Sequence, residues 1–151
     1  MSTETLDSLL RNDIDDLTAL ACDARSDERN ALLAVAATAL VRGRTPSRLK
    51  LIRFVQALAA TTDAPLRPHA GEAVLAPLIT ATHSADAVER LAALRALAVV
   101  AAHTEAPNAA LMHSILTAFE HARLDADAEI RAFAGEILSA GNPVFSQLSY
   151  L

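Results

Sequence analysis

Three arginines recur along the chain at a nearly constant interval, each just inside the start of a predicted helix. Arg48, Arg90 and Arg131 are separated by 42 and then 41 residues. The apolar positions behind them also repeat at fixed offsets: Leu49, Ile52, Val55 and Leu58 in the first copy, and Leu91, Leu94, Leu97 and Val100 in the second. The third copy is weaker and keeps Leu138. A period of about 40 residues built from two helices is typical of an α-solenoid.

Composition favours helices throughout. Hydrophobic residues make up 52% of the 151-residue chain and aromatic residues only 3%. Much of the hydrophobic fraction is alanine, which is the best helix former and lets helices approach closely. Valine and isoleucine are too sparse, and alternation of polar and apolar residues too rare, to predict a sheet. The sequence therefore predicts an all-α fold in a single domain, residues 1–151.

Capping residues and prolines divide the chain into helices. The predicted helices run from Ser26 to Arg42, Thr45 to about Thr61, His69 to about Thr82, Ser84 to His103, Asn108 to about Ala122, and Asp125 to about Ser139. They group into three pairs over residues 26–62, 68–104 and 107–141. Residues 1–24 read as an N-terminal capping helix, and residues 142–151 form a tail.

Two copies resemble the HEAT-repeat family. Residues 126–138, which read ADAEIRAFAGEIL, follow the turn and second helix of that family almost position by position. Residues 74–79 (VLAPLI) and 85–97 (ADAVERLAALRAL) give a second match, although Glu89 stands where the pattern has a branched apolar residue. The copy over residues 26–61 lacks the aspartate turn. The resemblance implies a right-handed stack of about three helix pairs that acts as an adaptor, scaffold or chaperone.

The resemblance also implies a working surface. In such a stack the second helix of each pair lines the inner face, where a large curved surface can hold a protein segment. The polar residues expected to line that face are Arg53, Gln56, Arg90 and Arg95.

The aspartate and arginine at the start of each second helix allow two interpretations. Asp86 and Arg90 are four residues apart, as are Asp127 and Arg131. In both interpretations the aspartate caps the helix. The arginine either reaches a carboxylate or carbonyl in the neighbouring copy, or forms an ion pair with the aspartate one turn earlier.

The sequence contains no pattern that identifies a catalytic or metal site. His83, His103 and His121 fall at predicted helix C-termini, where the helix dipole favours a positive charge. His83 and His121 occupy equivalent ends of adjacent copies and are expected to lie near each other, with structural capping preferred over a two-histidine metal site. Catalytic nucleophile, phosphate-binding and dinucleotide-binding motifs do not occur. We therefore expect no catalytic residues, no bound metal and no cofactor.

The charge and the cysteine content indicate which classes of partner and which cellular compartment to expect. The net charge of −5 disfavours binding to nucleic acid. The basic stretch from Arg42 to Arg53 is interpreted as a solvent-exposed turn between two helices rather than a nucleic-acid patch. The apolar runs, such as residues 31–41, are shorter than the ~20 residues that cross a membrane. The lone Cys22 cannot form an internal disulfide, which favours a reducing cytoplasm.

The C-terminal tail is unusually apolar for a chain end, with Phe145, Leu148, Tyr150 and Leu151 close together. Folding back onto the last helix pair is the preferred interpretation. The alternative is an anchor for a partner or a second copy of the chain, in which Phe145 and Tyr150 would make contact.

The resulting prediction is a non-catalytic protein-binding module in the cytoplasm. A small regulatory or immunity-type protein that inhibits one target is the alternative. HEAT-like enzymes such as DNA glycosylases and bilin lyases form a third class, but a glycosylase needs a basic, aromatic-bearing inner face that this acidic, aromatic-poor chain lacks.

Overall fold

A computed structural model describes residues 26–42, 45–60, 68–104 and 108–139. The regular secondary structure within these ranges is entirely helical: α1 (Ser26–Arg42), α2 (Thr45–Ala60), α3 (Pro68–Ala81), α4 (Ala87–His103), α5 (Ala109–Ala122) and α6 (Ala128–Ile137). This confirms the all-α class. The predicted capping helix over residues 1–24, Cys22 and the tail over residues 142–151 lie outside the described residues.

Side-chain caps set the starts of the last three helices. Asp86 accepts a hydrogen bond from the backbone N–H of Val88 at 3.0 Å. Asn108 caps α5 by accepting from two backbone N–H groups, at 2.8 and 3.3 Å. Asp127 does the same for α6, at 2.9 and 3.1 Å. Each cap satisfies N–H groups that a helix start would otherwise leave without a partner, and so fixes where the helix begins.

Each helix packs against its close neighbours in the chain. The first helices of the predicted pairs contact one another in order, with α1 against α3 and α3 against α5. The second helices do the same, with α2 against α4 and α4 against α6. Within the pairs, α1 packs on α2, α3 on α4 and α5 on α6. The helices of the middle pair therefore have neighbours on both sides.

The core is one continuous cluster, and α4 lies at its centre. Nine of the 17 residues of α4 are buried, among them Leu94, Leu97 and Val100. Helix α2 contributes fully buried Phe54 and Leu58 opposite it. None of the helices in the described ranges has the length and apolarity needed to cross a membrane.

Helices α3 and α4 approach closely where Gly71 faces Thr104. A Cβ atom added at Gly71 would overlap the Oγ1 and Cγ2 atoms of Thr104. The Thr104 hydroxyl is buried and donates to the Val100 carbonyl oxygen at 2.6 Å, so the side chain is held in place. Glycine at this position therefore permits the close approach of the two elements.

We expect Gly71→Ala to lower the free energy of unfolding by about 1 kcal/mol. Overpacking costs about 1–3 kcal/mol, whereas alanine recovers about 1 kcal/mol of helix propensity. Urea denaturation of the single variants and of Gly71→Ala combined with Thr104→Ala would measure the coupling. In the Thr104→Ala background the alanine at position 71 should no longer destabilise the chain. Additive effects would contradict this account of the glycine.

Candidate functional site

A groove between α2, α4 and the start of α6 brings together three of the four inner-face residues that the sequence predicted. Arg53 and Gln56 extend from α2, and Arg95 extends from α4. The groove encloses about 230 Å³ and is also lined by Ala87, Val88, Leu91, Ala92, Asp127 and Glu129. We call it the α2–α4–α6 groove.

The spacing of the buried residues directs these side chains into the groove. In α2, the residues on either side of Arg53 (Ile52 and Phe54) are fully buried, so Arg53 and Gln56, three residues apart, share the open face. In α4, Leu91 and Arg95 are four residues apart on the stripe that is not fully covered by neighbouring helices. The groove is thus the gap left between the uncovered stripes of two adjacent helices.

Arg95 makes only weak contacts at the groove edge. Its Nη2 atom lies 3.4 Å from Glu129 Oε1, and the two side chains are 47% and 69% exposed. The guanidinium carbon also lies 5.8 Å from the centroid of the Phe133 ring. Exposed ion pairs contribute about 0–1 kcal/mol, and exposed cation–π contacts contribute about 0.5–1 kcal/mol. Arg95 can therefore exchange these contacts for those of a ligand at little cost.

Arg53 is exposed and, of the residues that line the groove, is the one that most strongly indicates a ligand. It has no ion pair or hydrogen bond within the part of the chain that the structure describes. A guanidinium offers five N–H donors in a rigid fork suited to a carboxylate. The open side of the groove therefore presents a cation next to half-buried Leu91 and exposed Val88.

Arg90, the fourth residue predicted for the inner face, lies away from the groove. Its Nε and Nη2 atoms donate to the two carboxylate oxygens of Asp125 at 3.0 and 3.1 Å. Its Nη1 atom donates to the carbonyl oxygens of Ser84 and Ala85 at 2.9 and 3.1 Å. Of the two interpretations of this arginine, the structure shows the contact to a distant carboxylate, that of Asp125 before α6, rather than a pair with Asp86.

Asp125 is held as a carboxylate by its neighbours. The hydrogen bonds from Arg90 are the largest cause of its lowered pKa, and the backbone N–H of Asp127 adds to the effect at 2.9 Å. Burial opposes these hydrogen bonds by raising the pKa of Asp125, and the positive charge of Arg90 lowers it by a smaller amount. Asp125 therefore forms an ion pair that links α4 to the turn before α6.

A second ion pair, which links α2 to α4, was not predicted from the sequence. The Glu89 side chain is 0% exposed, and its Oε1 atom accepts from Arg48 Nε at 2.8 Å. Its Oε2 atom accepts from the Ser84 hydroxyl at 3.0 Å and from Arg48 Nη2 at 3.4 Å. These contacts explain how a charged residue occupies a position where the repeat pattern has an apolar one. The separation of Glu89 and Arg48, 41 residues, is close to the interval between the recurring arginines, but that interval alone does not single out Glu89 as the partner.

The histidines lie where the sequence predicted. His83 follows the end of α3, His103 ends α4 and His121 lies in the last turn of α5. The rings of His83 and His121 are in contact, with centroids 5.6 Å apart, which confirms that these equivalent positions meet. His103 Nδ1 lies 2.8 Å from the Val99 carbonyl oxygen, within its own helix.

The two remaining predicted contact residues, Phe145 and Tyr150, lie outside the described residues. No family model, no curated protein and no solved structure matches the chain. The functional argument therefore rests on the geometry of the described residues and on the periodicity of the sequence.

Proposed function

We propose that the chain is a non-catalytic protein-binding module, built as a short HEAT-like α-solenoid, which holds a segment of another protein in the α2–α4–α6 groove. The observation that carries the proposal is the convergence of Arg53, Gln56 and Arg95 on one groove. These residues come from two different repeats, as expected if successive second helices form a common binding face.

The repeating contacts at the helix starts support the solenoid part of the proposal. Arg90 Nη1 donates to the carbonyl oxygens six and five residues before it, and Arg131 Nη1 does the same, at 2.7 and 3.0 Å, to Asp125 and Ala126. Asp86 and Asp127, four residues before these arginines, both cap their helices. Two turns 41 residues apart are thus built by the same hydrogen bonds, as successive copies of a repeat would be.

The side chains of the groove indicate what the bound segment should carry. Arg53 offers its charge to an acidic side chain, and Arg95 can add a second charge by leaving its weak contact with Glu129. The other acid of the groove, Asp127, is engaged in capping α6. Leu91 and Val88 offer apolar surface to the bound segment. We therefore propose a segment with an acidic residue next to an apolar one. Charge complementarity of this kind raises association rates and excludes wrong partners. The lone cysteine of the sequence supports a cytoplasmic location for the complex.

Site-specific photo-crosslinking in the native host tests the proposal. A crosslinking amino acid at Gln56 should capture a discrete partner, whereas one at the exposed Glu120 on α5 should not. In an Arg53→Glu/Arg95→Glu background, capture from position 56 should fall about tenfold or more, because two complementary charges have been reversed.

Reversal of a charge elsewhere provides the matched control. Arg123→Glu, at the exposed end of α5, should leave capture from position 56 unchanged. Equal capture from positions 56 and 120, or equal losses in the groove and control variants, would contradict binding in this groove. Folding of each variant can be verified by circular dichroism.

A further inference from the structure

The contact between His83 and His121 lies on a different face from the groove. The two exposed rings come from the C-terminal ends of α3 and α5, and their planes are inclined by 52°. Neither ring makes a hydrogen bond within the described residues, in contrast to His103. Ring nitrogens at the ends of two different helices are therefore available to one ligand.

The electrostatic surroundings of the pair favour a cation. Helix C-termini carry partial negative charge, and both α3 and α5 end at this place, at Ala81 and Ala122. A positive ion between the rings would thus lie close to the negative ends of two helices, in a chain whose net charge is −5.

The distance between the rings fits shared coordination. Imidazole nitrogens bind zinc at about 2.0–2.1 Å, which places the centroids of two rings on one tetrahedral ion about 5 Å apart. The observed separation is 5.6 Å, close to that value, and both side chains are exposed, so the rings can turn their nitrogens toward a shared ion without displacing core residues. A cavity of about 410 Å³ adjoins the pair, lined also by His113, Ser114 and Thr117, and gives room for water ligands.

We propose that His83 and His121 form a two-histidine site for a divalent transition-metal ion, such as Zn²⁺ or Cu²⁺, that joins α3 to α5. No group of three or more metal-binding side chains occurs among the described residues, so water would complete the coordination. Neutral imidazole suits these ions, and Cu²⁺ should bind more tightly than Zn²⁺. The site would tie the first helices of two adjacent pairs at their ends, independently of any partner in the groove.

Isothermal titration of the full chain with Zn²⁺ tests this inference. We expect one site that depends on both histidines, with His83→Gln and His121→Gln each weakening it at least about tenfold, since even outer-shell changes alter metal affinity about 10–100-fold. His113→Gln is the matched control, because His113 is an exposed histidine on the same cavity. The affinity of this variant should stay within about twofold of wild type, because His113 has no hydrogen bond or ring contact with either paired histidine among the described residues and so neither binds the ion nor orients a ligand of it.

Thermal denaturation gives a second readout. Zn²⁺ should raise the melting temperature of the wild-type chain and of His113→Gln, but not of His83→Gln or His121→Gln, because an ion bound only by the folded state stabilises it. The inference is overturned if the wild-type chain binds no Zn²⁺, if its affinity survives loss of either paired histidine, or if loss of His113 weakens binding as much as loss of His83.

Discussion

An Arg48→Ala variant should be less stable than the wild-type chain by about 3 kcal/mol, because it leaves the Glu89 carboxylate buried without its cation. Glu89 is 0% exposed and bonds to Arg48 at 2.8 Å. Breaking a buried ion pair costs about 3–5 kcal/mol. Arg48 itself is 33% exposed, so we expect the lower end of that range. Urea denaturation followed by circular dichroism measures the difference.

Arg53 supplies the control on the same helix. Arg53→Ala removes an equal charge from the exposed face of α2, and its effect should stay within about 0.5 kcal/mol. Replacing both members of the buried pair, with Arg48→Met and Glu89→Leu, should recover much of the loss, since apolar residues of similar volume often substitute for such pairs. Similar effects of Arg48→Ala and Arg53→Ala would show that the pair does not stabilise the fold.

Leu94→Ala or Leu97→Ala should lower the free energy of unfolding by about 2–4 kcal/mol. Both side chains are buried in α4, which packs against α2, α3 and α6 and cannot move to fill a cavity without disturbing them. The cost has two parts, the lost burial of the side chain and the cavity left behind.

Leu124, which is 83% exposed, offers the matched substitution. Leu124→Ala should change the stability by less than about 0.5 kcal/mol. A cost below about 1 kcal/mol at either Leu94 or Leu97 would mean that α4 is not the centre of the core.

The helices were predictable because their signals are local. The predicted span Ser26–Arg42 coincides with α1, and the ends of α2 and α3 lie within one residue of the prediction. The last three helices begin at Ala87, Ala109 and Ala128, one to three residues after the predicted starts and each directly behind a capping residue. A short polar side chain before an alanine-rich run therefore locates these starts to within about one turn.

The groove was partly predictable, and the ion pairs that link distant helices were not. Arg53, Gln56 and Arg95 could be assigned to a common face because helical spacing fixes their direction. The partners of Arg48 and Arg90 could not, since Glu89 and Asp125 lie 41 and 35 residues away. Periodicity indicates which turns are near one another, but the choice among several acids in a turn depends on side-chain geometry. The meeting of His83 and His121 was predictable because both lie at the end of the first helix in consecutive predicted pairs.

The sequence separations of the paired residues affect how the protein folds. The three interhelical pairs of the described residues close segments of 41, 35 and 34 residues. Loop closure becomes only slowly costlier with length, by about 0.6 kcal/mol per doubling, but non-local contacts also slow the search for the native state. All three contacts span a similar separation, and none joins the two ends of the described chain. In the proposed solenoid, a folding nucleus could therefore form at any of these pairs and grow outward in both directions along the chain.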